Sequence, residues 1–158
     1  MTQRLTILVG TMTGTAEMVA EEVKDALEAK DAEVAVEPMD DLDPGVFEAG
    51  GLYLICTSTY GQGDVPDNAQ ALFEALEGEA PDLSDISYGV IALGDMTYAQ
   101  TFCQGGKRFD ALLNRLGATR VGEPLLHDAS SGSLPEDEAG AWAETWLENE
   151  VLSGKAIT

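Results

Sequence analysis

The sequence predicts an α/β fold, a parallel sheet covered by helices on both faces. Two observations carry that prediction. Short apolar runs alternate with amphipathic segments along the whole chain, and those segments repeat their apolar residues at i, i+3, i+4 and i+7, the period of a helix with one buried stripe. Loops rich in glycine, hydroxyls and aspartate follow the strand-like runs, at the carboxyl edge where a parallel sheet binds its ligands.

Five strands are expected, at 5–9, 33–37, 52–57, 89–93 and 120–126. The helix after the first strand carries Val19, Val23 and Leu27 on one stripe and starts at a Thr-Gly loop. The helix after the third strand carries Ala69, Leu72, Phe73 and Leu76, and the helix after the fourth carries Phe109, Leu112, Leu113 and Leu116. A last helix opens after Ser133-Leu134-Pro135-Glu136, carries Ala139, Trp142, Ala143 and Trp146, and closes near Gly154. Its two tryptophans are one turn apart, so both are expected to pack on the sheet, away from any ligand. With 158 residues, 44% of them hydrophobic, the chain suits a single domain over residues 1–158 whose core can enclose the edge of a flat ligand.

Charge narrows the partners. The formal net charge of -21 comes from 29 acidic against 8 basic residues, which disfavours nucleic acid and anionic membrane surfaces and favours basic proteins. No Lys or Arg stands between Lys30 and Lys107, so one stretch of the chain is uniformly acidic. The ordinary reading of such a stretch is a solvated surface. An amino terminus with neither a long apolar run nor a membrane-length segment leads to the expectation of a cytoplasmic protein. Cys56 and Cys103 are far apart and form no C-x-x-C pair, so neither a disulfide framework nor a metal site is expected, and Cys56 reads as a core residue of its strand.

Three loops carry the chemistry. The first is Gly10-Thr11-Met12-Thr13-Gly14-Thr15-Ala16-Glu17, between a strand and a helix, where backbone N–H groups and the positive end of the helix dipole can hold a phosphate. Thr15 follows Gly14 where an ATP-binding P-loop needs lysine, and Gly61 and Gly63 are followed by Pro66 where a dinucleotide fingerprint needs its third glycine. The phosphate therefore belongs to a mononucleotide. The second loop is Thr57-Ser58-Thr59-Tyr60-Gly61-Gln62-Gly63-Asp64, and the third is Gly94-Asp95-Met96-Thr97-Tyr98 running on to Phe102-Cys103. Each places one tyrosine, Tyr60 or Tyr98, at the sheet edge that holds the phosphate loop. A ring stacked on tyrosine gains about 1 kcal/mol beyond area burial, and a phosphate at one end with a stacked ring at the other describes flavin mononucleotide (FMN).

These three motifs, T-M-T-G-T-A-E, T-Y-G-Q-G-D with P-D-N, and L-G-D-M-T-Y with F-C, resemble those of the flavodoxin family over nearly the whole chain. The likeness is nearest to short MioC-type flavodoxins and to the FMN domains of diflavin reductases. It implies a flavodoxin-like three-layer sandwich with strand order 2-1-3-4-5. By position it also implies that Thr11, Met12, Thr13, Gly14, Thr15 and Ala16 bind the phosphate. Ser58, Thr59, Tyr60 and Gly61, with Leu93, Gly94 and Asp95, would line the ring. Tyr60 and Tyr98 would cover its faces, and Phe102 and Cys103 would lie beside it. The stretch from Tyr98 to Phe102 is one residue longer than the family's Y-x-x-F-C, and the interval from Gly117 to Trp142 has no room for the insertion of long-chain members. His127 reads as a solvent-facing loop residue beside Asp128, where the FMN domains carry an acidic loop.

The resemblance implies a monomeric electron carrier without a substrate of its own, moving single electrons between a basic redox partner, such as a flavodoxin (ferredoxin) NADP reductase, and an acceptor enzyme. Asp64 and Asp95 beside the reduced flavin would lower its potential by like charge. It also implies that the Tyr60-Gly61 peptide turns its carbonyl to the flavin N5–H, which glycine permits. A response-regulator receiver shares the sheet, but needs acidic residues where this chain has Gly10-Thr11 and Thr57-Ser58. A quinone or nitro reductase on the same fold is the alternative enzyme reading, and it requires a nicotinamide-binding element or a dimer-built pocket.

Overall fold

The computed structural model describes residues 4–11, 14–30, 32–48, 50–59, 65–94 and 103–148. Strand β1 (Arg4–Gly10) leads into helix α1 (Thr15–Glu28), followed by β2 (Glu33–Pro38) and β3 (Gly51–Thr57). Then come α2 (Asp67–Glu79), β4 (Ile86–Gly94), α3 (Gln104–Arg115), the short strands β5 (Thr119–Arg120) and β6 (Leu125–Asp128), and α4 (Pro135–Trp146). All pairings are parallel, in the order β2-β1-β3-β4, with β5 and β6 both on the far edge of β4.

The fifth position of the sheet is therefore divided, where the sequence led to one continuous strand at 120–126. Thr119 and Arg120 pair with Ser87 and Tyr88, and Leu125 to Asp128 pair with Ile91 to Gly94. Gly122, at φ 73°, takes the chain out of strand geometry, and Pro124 has no N–H to give to a ladder. The break shortens the strand without moving it. β4 in turn starts three residues before the expected position, at Ile86.

Side-chain alternation along the strands builds two cores. Leu5, Ile7 and Val9 of β1 join Leu52, Leu54 and Cys56 of β3 and Ile91 and Leu93 of β4 under α1 and α4. Leu8, Tyr53, Ile55, Tyr88, Val90 and Ala92 face α2 and α3 on the other side. The result is the three-layer sandwich. Each helix meets the sheet with the stripe its spacing implied: Val19, Val23 and Leu27 from α1, Ala69, Leu72 and Leu76 from α2, Phe109, Leu112 and Leu113 from α3, all buried.

Helix α4 closes the first core. Proline at its first position pre-sets φ where no intrahelical N–H bond is needed. Trp146 is buried and its indole N–H donates to the Val121 carbonyl at 2.7 Å, satisfying a backbone group in the strand break; Trp142 stacks on it at 5.5 Å. Both tryptophans belong to the core layer, as their spacing led one to expect.

His127 corrects the sequence reading. It lies on β6, only 2% exposed, with Nδ1 3.2 Å from Glu138 Oε1 on α4. Strand alternation is the cause: Leu126 points outward and is 36% exposed, so its neighbour must point inward.

A polar link fastens the far edge. Buried Tyr88 donates its hydroxyl to Asp110 Oδ1 at 2.6 Å and to the Asp110 carbonyl at 3.0 Å, while Arg120 pairs with the same carboxylate and donates Nε–H to the Gly122 carbonyl. Burial, then the bond to Asp110, raises the Tyr88 hydroxyl far above its ordinary pKa, so it remains a donor. Tyr88→Phe should cost about 1 to 2 kcal/mol, the range for a lost hydrogen bond, read as a lower denaturant midpoint at unchanged slope. An unchanged midpoint would show that this link does not hold the edge.

Candidate functional site

The candidate loops leave the sheet at one edge because the strands end in register there. Gly10 pairs with Thr57, Thr57 with Ala92, and Gly94 with Asp128. The edge is tied across β1 and β3 by the Ser58 N–H, which donates to the Gly10 carbonyl at 3.0 Å.

At the first loop, Gly14 is the N-cap of α1 at φ 93°, a left-handed conformation that disfavours any residue with a Cβ. Among the described residues nothing lies within 4 Å of where that Cβ would be. Gly14 supplies no side-chain cap, and helix geometry gives the first-turn N–H groups of α1 no intrahelical acceptor. Gly14 N–H itself donates to Thr11 Oγ1 at 2.8 Å, closing the loop on itself. Such a turn fits a phosphate group. Ala16 has its side chain in the core, and its carbonyl accepts from the Cys56 thiol at 3.5 Å, so only its backbone faces the loop. Thr15 is the first residue of α1 and is exposed. Met12 and Thr13 lie outside the described residues.

The loop is held from beneath by a residue that composition and spacing did not single out. Asn68, in the first turn of α2, accepts the Thr11 N–H at 2.7 Å, and its Nδ2 donates to the Val9 carbonyl at 3.2 Å and to Asp40 Oδ2 at 3.3 Å. Thr11 therefore gives its amide to Asn68. The P-D-N segment was the available signal: a carboxamide just after a helix-starting proline can satisfy a donor and an acceptor at once.

At the second and third loops, Thr59 donates its hydroxyl to the Leu93 carbonyl at 3.1 Å and accepts the Gly105 N–H at 3.0 Å. Gly105 is close against the second loop, since a Cβ there would lie 2.3 Å from the Ser58 carbonyl oxygen. Sequence reasoning passed over this glycine, although a Gly-Gly pair opening a helix signals close approach of backbone. Leu93 is buried, and Gly94, half-buried, has the Cys103 backbone nitrogen against it. Tyr60, Gly61, Asp95, Tyr98 and Phe102 lie outside the described residues, as does Asp64.

Cys103 is the N-cap of α3 at φ 56°, fully buried, its thiol directed at the carbonyls of Ala92 (3.3 Å) and His127 (3.7 Å). Burial pushes the thiols of Cys56 and Cys103 up to about 12. Among the described residues no group of His, Cys, Asp and Glu is placed to hold a metal, and no helix is long and apolar enough to cross a membrane. A pKa raised this far leaves about one thiolate in ten thousand at pH 8, so neither cysteine should react with iodoacetamide until denaturant is added, as followed by mass spectrometry. Labelling of the folded protein at the rate of a free thiol would contradict the burial.

Comparison with known proteins accords with this edge. The flavodoxin family model matches residues 7–142. Flavodoxin YqcA of Escherichia coli (strain K12) is 44% identical over 140 residues, 89% of this chain and 93% of that protein. The sulfite reductase [NADPH] flavoprotein alpha-component of Bacillus subtilis (strain 168) is 39% identical over 153 residues, 96% of this chain but 24% of that protein. Among solved structures, a cysteine-to-alanine mutant of flavodoxin from Pseudomonas aeruginosa superposes with a TM-score of 0.81 at 35% identity, covering 93% of this chain and all of that one. A family match over most of the chain, joined to this sheet order and these loops, means that the protein belongs to the flavodoxin family of flavin-dependent electron-transfer proteins.

Proposed function

We propose that the protein binds FMN noncovalently and moves single electrons between a basic reductase and an acceptor enzyme, with no substrate of its own. The observation that carries this is the loop at the start of α1: a left-handed Gly14, closed by Thr11 and anchored by Asn68, with no lysine to serve a triphosphate. Residues 11–16 would take the phosphate. Thr11 contributes the shape of that loop, its own amide being given to Asn68 and its hydroxyl accepting the Gly14 N–H, and the donors would come from the remaining residues of 12–16. Ser58 to Gly61 and Leu93 to Asp95 would line the ring, with Tyr60 and Tyr98 over its faces and Phe102 and Cys103 beside it.

The flavin supplies the one-electron chemistry. The chain's part is to bind it, orient it and set its field, and Asp64 and Asp95 in an acidic stretch disfavour added negative charge on the ring. Likeness to one part of a larger sulfite reductase flavoprotein supports electron exchange with protein partners. Carboxylates from Glu33 to Asp95, with no lysine or arginine among them, suit a basic docking face in a cytoplasmic, monomeric carrier.

Reconstitution of the apoprotein should yield one FMN per chain, identified by mass after release. Recovery of FAD, or direct oxidation of NAD(P)H by the holoprotein alone, would contradict the carrier reading. Asn68→Ala should weaken FMN binding about tenfold, the effect of losing a half-buried hydrogen-bonding anchor, while riboflavin affinity stays nearly constant. Equal losses for both ligands would remove Asn68 from the phosphate end.

A further inference from the structure

We propose that Thr59 is a positioning residue that fixes the spacing between the two loops flanking the flavin ring, an inference that rests on the FMN-carrier reading. Its hydroxyl joins the end of β4 to the start of α3 through the second loop: it donates to the Leu93 carbonyl at 3.1 Å and accepts the Gly105 N–H at 3.0 Å. Those partners are 34 and 46 residues away in sequence, so the link is tertiary. A half-buried hydroxyl used in both directions satisfies a first-turn amide of α3 that helix geometry leaves without an intrahelical acceptor.

Contact reinforces the bond. The backbone of α3 at Gly105 is pressed against Ser58 and Thr59, so that even a methyl group would overlap the Ser58 carbonyl. Residues 58 and 59 are thus held against α3 by contact and against β4 by the hydroxyl. In sequence Thr59 directly precedes Tyr60-Gly61 and Leu93 directly precedes Gly94-Asp95, the two segments proposed to line the ring. A bridge at both roots fixes where those segments start relative to each other. Thr59 is neutral, so replacing it changes no formal charge, and a change in flavin potential reports the loss of the hydroxyl bridge and not of a charge.

The test compares wild type, Thr59→Val and Thr59→Ser, measuring FMN and riboflavin affinity and both one-electron midpoint potentials of the FMN-loaded protein. Thr59→Val, isosteric but without the hydroxyl, should lose about tenfold in affinity for both ligands alike and change the separation of the two midpoints. Thr59→Ser should restore all of these to within about twofold of wild type. Thr59→Ala, which removes the hydroxyl without adding a methyl, carries the same expectation if the valine variant does not fold. Wild-type affinities and midpoints in Thr59→Val, a serine variant as impaired as valine, or a loss confined to FMN would each overturn the proposal. A wild-type apoprotein that takes up no FMN would instead contradict the carrier reading on which it rests.

Discussion

The carboxamide of Asn68 is the interaction on which the carboxyl edge of the sheet depends. A parallel sheet ends in loops whose backbone groups have lost their ladder partners, and each buried group left unsatisfied costs about 1 to 3 kcal/mol. Asn68 takes the Thr11 amide and gives to the Val9 carbonyl, which fixes the path of the chain from β1 towards Gly14. Thr11 then holds the Gly14 amide, and α1 starts with its amino end at the loop. Three hydrogen bonds, all within the chain, fix both ends of the Thr-Gly loop, at Thr11 and at Gly14. Preorganisation of this kind lowers the ordering cost of binding.

Thr59 does for the proposed ring end what Asn68 does for the proposed phosphate end. Both are short, neutral side chains that donate and accept at once, and both bridge elements far apart in sequence. Neutrality matters in a chain of net charge -21, where a cationic anchor at the loops would partly offset the field that acidic residues impose. Of the described cations, Arg4, Lys24 and Lys30 lie on β1 and in or just after α1, and Lys107, Arg108, Arg115 and Arg120 lie on α3 and β5, with Arg120 committed to Asp110. Binding geometry and electrostatics are thereby separated, the first carried by hydroxyl and amide groups, the second by carboxylates.

Much of this was legible in the sequence, and the reasons are physical. Helical stripes such as Ala69, Leu72 and Leu76 are read directly, because burial of one face is what creates the period. The strand-to-helix loops were legible because glycine and threonine at such a point mark a turn or a helix cap. What was missed depends on tertiary partners. Asn68 in a P-D-N segment does not reveal which amide it will take, and Gly105 does not reveal which backbone will press on it. His127 was misplaced because a strand of two leucines, a histidine and an aspartate gives no periodic signal, and β6 is recognised only by its pairing with β4. The division of the fifth strand had a local cue in Gly122 and Pro124, which the apolar residues on either side outweighed.

That these bonds hold the ends of the proposed phosphate loop without the ligand is tested most directly by amide hydrogen exchange of the apoprotein, followed residue by residue by NMR. The Thr11 amide, bonded to Asn68 at 2.7 Å, should be protected without FMN and stay protected with it, while the largest FMN-induced shifts fall on the amides of residues 12–16. A Thr11 amide that exchanges freely in the apoprotein and gains protection only when FMN is added would contradict the account, because the ligand would then be building the loop.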